Sequence, residues 1–358
     1  MNVLVLKPGS RHLGYALYSV GKAATVMTGE VRDYRRGGED QQVMGEAMAE
    51  LWEKATHRGA VLSLAVEVTS GGSEFGPCVL ADEAVLEQLS SQAGQAPLHL
   101  PVVISLVRAC QHVLPQMPVI LTFQSAFFAD LPARERSYGL DPDMAARLGL
   151  QRTGQYGLYH AAACSHLVHL HKDEAKPPRI ISICLDHQNE LAAVLGRRPL
   201  LVTSGATTLE GLPGLTTTGE MDPSITLTLA RELKWGPEQI NRVLTQESGL
   251  RGLAGEPVTT LALFRSRANS SKLARDVMQY RLLLACGSAI AAMGGVDEII
   301  FTGRYAEAGN RLGPWLCERL TRSRGMGNVS WRLCAQSLEQ IVAELTVTTL
   351  AVSTDQAA

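Results

Sequence analysis

Two halves of the chain repeat one order of predicted strands and helices, and this repeat constrains the fold more than any other feature. Each half begins with three short apolar segments separated by turns, and helical patterns then alternate with buried strands. The first half predicts strands over 2–6, 13–18, 23–28, 61–68 and 118–123, and helices over 41–55, 81–91 and 101–113. The second half predicts strands over 179–185, 190–196, 199–203 and 296–301, and helices near 222–233, 236–245, 267–292 and 305–323. This order predicts two α/β domains that face a central cleft.

The length of 358 residues also favours two domains, because a single core rarely serves so long a chain. We place the first domain at 1–127 and the second at 128–345. The C-terminal segment leaves two readings open. Residues 336–351 fit either a helix, or a strand at 341–345 followed by a short helix. Residues 346–358 are a candidate for return to the first domain.

Composition argues against several classes of function. The formal net charge is −2, whereas a large nucleic-acid surface needs a basic excess. The longest apolar stretch, 282–293, is too short to span a bilayer, and the N-terminus lacks a charged leader. The seven cysteines are scattered without a C-x-x-C pair. We therefore expect a cytoplasmic protein with reduced thiols, no resident metal and no membrane partner.

The first predicted strand runs into the turn Lys7-Pro8-Gly9-Ser10. A glycine turn after a buried strand can present backbone N–H groups to a phosphate, so Gly9 and Ser10 are candidate cofactor contacts. Such turns normally carry small side chains. Here the turn and the residue after it carry the long side chains of Lys7 and Arg11. The backbone pattern therefore indicates a phosphate turn, whereas these side chains do not suit one.

A series of motifs in fixed order resembles the acetate kinase family. The motifs are VLVLKPGS at the start, VTSGG at 68–72, APLHLP at 96–101, FQSAFFADLP at 123–132, TTLEGLPGLTTTGEMDP at 207–223, ESGLRGLAG at 247–255 and GGVDEIIFTG at 294–303. The resemblance implies duplicated ribonuclease H-like domains of the sugar kinase, Hsp70 and actin type. It also implies Mg-ATP-dependent phosphorylation of a short carboxylate, and a homodimer formed through the second domain. The 267–292 helix is a candidate for that interface or for the core.

In the first half, the chain departs from the residues that the resemblance implies for catalysis. Lys7 stands where the family has an amide. Glu67 stands where an arginine would grip the carboxylate and the transferred phosphate, so the charge is reversed. Gln124 replaces a catalytic aspartate and cannot act as a carboxylate base.

The second half departs in the same way. Tyr159 aligns with a phosphate-binding histidine, although a one-residue slip would place His160 there. Cys184 replaces the histidine of a second phosphate loop, which here reads CLDHQNE, and Thr217 replaces a second arginine. Gly303 and Glu307 alone fit the expected adenosine-side loop. A C-terminal metal-holding glutamate would fall at Thr348 or Thr349, with Glu344 as a shifted alternative.

Several side chains leave alternatives open. Lys7 can salvage anion binding or form an ion pair with Glu67 or Asp186. His187, beside Asp186, can take up new acid–base chemistry or lie in a partner-facing loop. Cys184 is read as a buried rather than a reactive thiol. The histidines at 166, 169 and 171 are read as an ordinary helix surface rather than a metal site.

Phosphoryl transfer depends on positioning and charge stabilisation, so losing these groups together predicts loss of ordinary carboxylate kinase activity. We therefore expect a non-catalytic pseudokinase that acts by binding, as a regulatory or scaffold subunit in a homodimer or heteromer. The alternative is an active ATP-dependent phosphotransferase on a carboxylate or an altered acceptor, with Mg-ATP as cofactor.

Overall fold

The structure is a computed structural model that describes residues 1–9, 12–34, 41–72, 74–93, 99–170, 176–322 and 329–357. The side chains of 166, 168–170 and 353–357 are not described. The chain divides into two compact units, which we call the first domain (1–129 and 337–358) and the second domain (130–336).

A six-stranded sheet forms the first domain, with the order β3-β2-β1-β4-β6-β5. The strands are β1 (Asn2–Pro8), β2 (His12–Ser19), β3 (Ala24–Arg32), β4 (Val61–Val68), β5 (Cys78–Leu80) and β6 (Val119–Phe123). The strands β1, β2 and β3 are antiparallel neighbours, and β4 and β6 continue the sheet parallel to β1. Apolar residues with high strand propensity fill β1 and β6, and five positions of each strand are buried.

Helices cover this sheet and complete the core of the first domain. They are α1 (Gln41–Thr56), α2 (Glu83–Ser91), α3 (Leu100–Val113) and α13 (Leu338–Ala357). In α1, the residues Met44, Met48, Leu51 and Ala55 recur at helical spacing and are buried. The Asp82 side chain caps α2 by accepting from Val85 N–H. α13 packs against strands of this sheet, including β1 and β4.

The second domain is built on a five-stranded sheet with the order β11-β10-β7-β8-β9. Its strands are β7 (Arg179–Leu185), β8 (Asn189–Leu195), β9 (Arg198–Val202), β10 (Glu298–Thr302) and β11 (Ser330–Leu333). The strands β7, β8 and β9 are antiparallel, and β10 and β11 are parallel to β7. This order reproduces β3-β2-β1-β4-β6 of the first domain, so the two domains share one topology.

The helices of the second domain flank its sheet. They are α4 (Ala133–Arg136), α5 (Pro142–Leu148), α6 (Gly157–Leu170), α7 (Ser224–Leu233), α8 (Pro237–Gln246), α9 (Gly249–Ala254), α10 (Thr260–Arg265), α11 (Ser270–Met293) and α12 (Gly309–Thr321). α11 buries one face, which includes Met278, Leu282 and Ala289, in the core. Short 3₁₀ turns occupy Gln124–Phe128 and Ala306–Ala308. No described helix combines the length and the apolar character needed to cross a membrane.

The predicted strands and helices of both halves are confirmed, with ends shifted by a few residues. The C-terminal segment is a helix, α13, so the alternative strand at 341–345 is wrong. Two short strands, β5 and β11, were not predicted. They have three and four residues, and so few positions give little periodicity.

Candidate functional site

The three residues that the sequence analysis singled out as departures from the family pattern in the first domain lie at one edge of its sheet. Because β1, β4 and β6 are parallel neighbours, their carboxyl ends meet at that edge, where ligands of open α/β sheets bind. Lys7 lies near the end of β1, and Glu67 near the end of β4. Gln124 directly follows β6. The sheet therefore brings the three sequence-predicted positions of this half to the same edge.

Lys7 forms an ion pair with Glu339, at the beginning of α13. The acid that Lys7 contacts therefore comes from the C-terminal helix, which the sequence analysis did not consider, and an ion pair of Lys7 with Glu67 or Asp186 stays a prediction. Burial would raise the pKa of Glu339, but the charge and hydrogen bond of Lys7 outweigh burial and lower it. The two side chains are 25% and 20% exposed, so the pair is only partly shielded from water.

Glu67 and Gln124 bond to each other. The Gln124 amide nitrogen lies 2.7 Å from Glu67 Oε1 and donates to it, and Gln124 is buried. Two positions where the family resemblance implies an arginine and an aspartate thus form an amide–carboxylate bond. The substitution reverses one charge and removes the other, and the new residues fit each other.

The glycine turns of the first domain, at Gly9 and Gly72, have backbone groups that hydrogen-bond to other parts of the protein. Gly9 N–H donates to His12 O at 3.0 Å, and Gly9 O accepts from the Tyr34 hydroxyl at 2.9 Å. Gly72 N–H donates to Ser125 Oγ at 3.0 Å. Gly9 therefore has its N–H and its C=O in protein contacts. Ser10, the other candidate contact, lies outside the described residues.

The second domain presents the equivalent edge at the ends of β7 and β10, which pair in parallel. The turn 186–188 follows β7, and Gly303 and Arg304 follow β10. Asp186 is 5% exposed and lies between these two loops. Its Oδ1 accepts from His187 N–H at 2.7 Å, and its Oδ2 accepts from Arg304 N–H at 3.2 Å.

Arg304 joins Asp186 and His187 through its side chain. Its Nε lies 3.9 Å from Asp186 Oδ1, and its Nη1 donates to His187 Nε2 at 2.9 Å. Partial burial and the neighbouring Arg304 lower the pKa of His187, although Asp186 opposes the shift. His187 is therefore held neutral as an acceptor. Sequence reasoning did not single out Arg304 as a functional position, because only the pairing of β7 with β10 brings it close to Asp186.

Cys184 and Gly303 are packed together behind these loops. Cys184 is fully buried, and burial raises the pKa of its thiol, reinforced by Asp186 and Glu190. The prediction of a buried thiol is confirmed. Gly303 has a φ of +89°, and a Cβ there would lie 2.6 Å from Leu185 O, so this position requires glycine. Glu307 is exposed in the 306–308 turn.

Thr217 contacts the 186–188 turn. Its hydroxyl donates to Gln188 Oε1 at 3.1 Å, and both residues are buried. The Gln188 amide nitrogen donates to Glu210 O at 3.3 Å. Where the family resemblance implies an arginine facing a glycine-rich loop, the chain thus has two neutral side chains bonded to each other.

His160 belongs to a fully buried cluster with Glu190 and Ser182. Its Nε2 lies 3.1 Å from Glu190 Oε1, and its Nδ1 lies 2.7 Å from Ser182 Oγ. Glu190 also accepts from the N–H groups of Gln155 and Tyr156, at 2.8 and 2.9 Å. Both ring nitrogens are therefore engaged within the protein and no atom of His160 is exposed, and its role in place of the missing catalytic histidine stays a prediction.

Tyr156 contacts the 186–188 turn directly. The Tyr156 hydroxyl accepts from Gln188 N–H at 3.3 Å. Burial raises the pKa of Tyr156, and Asp186 and Cys184 contribute next. Tyr159 is buried beside it, with ring centroids 6.3 Å apart.

These residues do not fit Mg-ATP. The positions where the resemblance implies a metal-holding glutamate carry threonines, Thr348 and Thr349. The acid that lies beside Lys7 is Glu339 of α13, and it already pairs with the Lys7 ammonium. A cation at that position would meet a positive charge rather than a free carboxylate. Among the described residues, no group of three metal-ligating side chains is present. In the second domain, the Asp186 carboxylate already accepts hydrogen bonds from the backbone N–H groups that a phosphate would need.

A separate cavity in the second domain, of about 330 Å³, shares no lining residue with these loops. Its charged residues are already paired. Arg152 lies 2.5 Å from Glu210, and Tyr138 hydrogen-bonds to the other oxygen of that carboxylate. We interpret this cluster as structural.

Comparison with known proteins gives consistent matches. The sequence model of the acetokinase family matches residues 13–325. The acetate kinase of Thermoanaerobacter pseudethanolicus is 31% identical over 258 residues, which cover 71% of this chain but only 64% of that protein. The acetate kinase of Heliobacterium modesticaldum is 29% identical over 348 residues, covering 90% and 88%. The crystal structure of Porphyromonas gingivalis acetate kinase superimposes with a TM-score of 0.84 at 23% identity, over 98% and 99% of the two chains, and confirms the predicted fold class.

Proposed function

The chain belongs to the acetokinase family, and we propose that it is a non-catalytic, binding member of that family. One observation carries this proposal: the residues at the replaced family positions bond to protein partners within their own domain. Lys7 pairs with Glu339, Glu67 with Gln124, and Thr217 with Gln188. Phosphoryl transfer needs donors that are preorganised toward the ligand, and these side chains are committed to one another.

Charge supports the same proposal. A carboxylate substrate and a nucleotide triphosphate are both anions, and the edges described above present Glu67 and Asp186 where the family resemblance implies cationic or uncharged groups. Two carboxylates at such positions repel both ligands. We therefore expect neither acetate nor Mg-ATP to bind in the manner that the resemblance implies.

A second candidate function is an ATP-dependent phosphotransferase acting on a carboxylate or on an altered acceptor. The names of the relatives favour it, because they are called acetate kinases. Arg304 also favours it, because its side chain is 54% exposed beside the exposed His187 and offers a cation at the loop. Under this candidate, an uncharged acceptor would suit Glu67 better than acetate would.

The test is a turnover assay with Mg-ATP and acetate, propionate, short alcohols or amides, with an acetate kinase as positive control. Acyl phosphate is trapped with hydroxylamine, and ADP release is followed for the neutral acceptors. We expect no turnover above the protein-free background. Turnover with acetate would refute the proposal, and turnover only with neutral acceptors would establish the second candidate.

For a binding protein, the partner surface is the next question. We propose a second copy of this chain as partner, in line with the family resemblance, through the exposed face of α11. Leu273, Tyr280 and Leu284 lie on that face and are 56%, 60% and 46% exposed. Light scattering of the wild type and of Tyr280→Glu tests this: we expect a dimer that the variant weakens, and a monomeric wild type would contradict it.

A further inference from the structure

The turn after β7 and the turn after β10 form a cradle of backbone N–H groups. The two strands are adjacent and parallel, with Cys184 opposite Thr302, so the loops that follow them leave the sheet together. Tyr305 N–H donates to Leu185 O at 2.8 Å, which ties the second loop to the first. This contact holds the N–H groups of His187 and Arg304 near one point, the arrangement by which protein loops bind anions.

The anion at that point is the Asp186 carboxylate. Each of its oxygens accepts from one loop, at 2.7 Å from His187 N and 3.2 Å from Arg304 N. The Arg304 guanidinium lies 3.9 Å away on the solvent side. A carboxylate that is 5% exposed would be costly without such partners, so the cradle and the carboxylate stabilise each other.

We infer that the Asp186 carboxylate occupies an oxyanion site formed by the two loops, and that removing this carboxylate opens the site to free phosphate. The inference rests on the proposed function, since a loop that binds nucleotide phosphates would have to be free of Asp186. It goes further in naming the occupant and the groups that hold it. The two N–H groups supply directed donors, and Arg304, half exposed, supplies a charge that can adjust to a larger ligand.

The site has the local charge that this inference requires. Removing Asp186 leaves Arg304 as the charged side chain directly at the cradle, while His187, whose pKa is lowered by burial and by Arg304, stays neutral near pH 7. Glu190 lies behind, fully buried, and its oxygens are used by Gln155, Tyr156 and His160. An oxyanion that replaced the carboxylate would therefore meet the same donors and one arginine.

The experiment measures binding of inorganic phosphate to the full chain by calorimetry and by thermal shift, with chloride added to keep the ionic strength constant. The variants are Asp186→Ala and Asp186→Ala with Arg304→Ala. We expect no saturable binding to the wild type. We expect saturable binding to Asp186→Ala, at least tenfold tighter than any binding to the wild type, and loss of that gain in the double variant.

Asp297→Ala is the matched control. Asp297 lies in the same domain and accepts from both the backbone N–H and the guanidinium of Arg179, at 2.8 and 2.6 Å. Its removal therefore also frees an arginine and a backbone N–H, but away from the cradle. We expect no gain of phosphate binding in this variant.

Folded Asp186→Ala protein without saturable phosphate binding would overturn the inference, and so would an equal gain in Asp297→Ala. If Asp186→Ala does not fold, Asp186→Gly replaces it, since it also removes the carboxylate from the cradle, and absence of any gain in that variant has the same meaning. Mg-ADP is titrated into the wild type in the same series. Binding of Mg-ADP would overturn the proposed function, whereas an unresponsive Asp186→Ala beside a nucleotide-free wild type would overturn only this inference.

Discussion

The two domains share one order of five strands but hold their charged residues at the sheet edge in different ways. In the first domain, Lys7 and Glu67 are each matched by another side chain, Glu339 and Gln124. In the second domain, Asp186 and Glu190 each accept from two backbone N–H groups. From this difference we infer that a side-chain pair of the first domain can be removed with little change in the backbone conformation. A carboxylate bonded to backbone N–H groups instead fixes the loops around it.

The largest expected effect tests the backbone-bonded acids of the second domain. Glu190→Ala leaves two N–H groups and a histidine without their buried acceptor, so we expect the free energy of unfolding to fall by about 3–5 kcal/mol. Urea unfolding measures the loss, and hydrogen exchange assigns it to the second domain. Glu318→Ala, which breaks an exposed pair with Arg322, is the control, with an expected change below about 0.5 kcal/mol. Equal losses of unfolding free energy in the two variants would contradict the special role of the backbone-bonded acids.

A smaller effect is expected where the loop after β10 depends on glycine. Gly303→Ala forces a side chain into a left-handed backbone conformation and against Leu185 O, so we expect a loss of about 2–3 kcal/mol. Gly287→Ala is the opposite case, because Gly287 lies in α11 with nothing within 4 Å of an added Cβ. That variant should gain up to about 1 kcal/mol. Thermal unfolding distinguishes the two signs, and a neutral Gly303→Ala would disprove the strained turn.

The first domain should respond less, even at the partly buried pair of Glu67 and Gln124. Gln124→Ala removes a hydrogen bond to a carboxylate, so we expect a loss of about 2 kcal/mol. Gln42→Ala removes an exposed amide–carboxylate bond to Glu46 in the same domain and should change stability by less than about 0.5 kcal/mol. Denaturant unfolding of both variants measures the difference. A loss for Gln124→Ala that matches Glu190→Ala would remove the contrast between the domains.

The smallest expected effect concerns Lys7 and Glu339. Both side chains contact solvent, so Lys7→Met should cost no more than about 1 kcal/mol at pH 7. The pKa of Glu339 is lowered below its usual 4.5, so the pair stabilises the folded state above that pH. This contribution is lost as the pH falls through the folded pKa. Melting temperatures from pH 7 to pH 3 should therefore converge for the wild type and Lys7→Met. A difference independent of pH would show that the ion pair does not contribute.

Much of the fold could be predicted from the sequence because its signals are local. The buried runs of β1 and β7 and the helical spacing of Met44, Met48 and Leu51 identify elements without tertiary information. The short strands β5 and β11 carry too few residues for such a pattern, and their pairing with neighbours decides their conformation.

The contacts at the site could be predicted only in part. The sequence identified Lys7, Glu67, Gln124 and Asp186 as unsuited to a phosphate, but it could not identify their partners. Lys7 and Glu339 are 332 residues apart, and only the packing of α13 on the first sheet brings them together. The bonds of Asp186 to two loops depend on the pairing of β7 with β10, which no local pattern reveals.

The most direct test of the central claim is a calorimetric titration of the wild-type chain with Mg-ADP and with Mg-ATP, up to several millimolar. Our account predicts no binding heat and no thermal stabilisation by either nucleotide, because the replaced positions are committed to contacts within each domain. Saturable binding with a dissociation constant below about 1 mM, equivalent to about 4 kcal/mol, would contradict it.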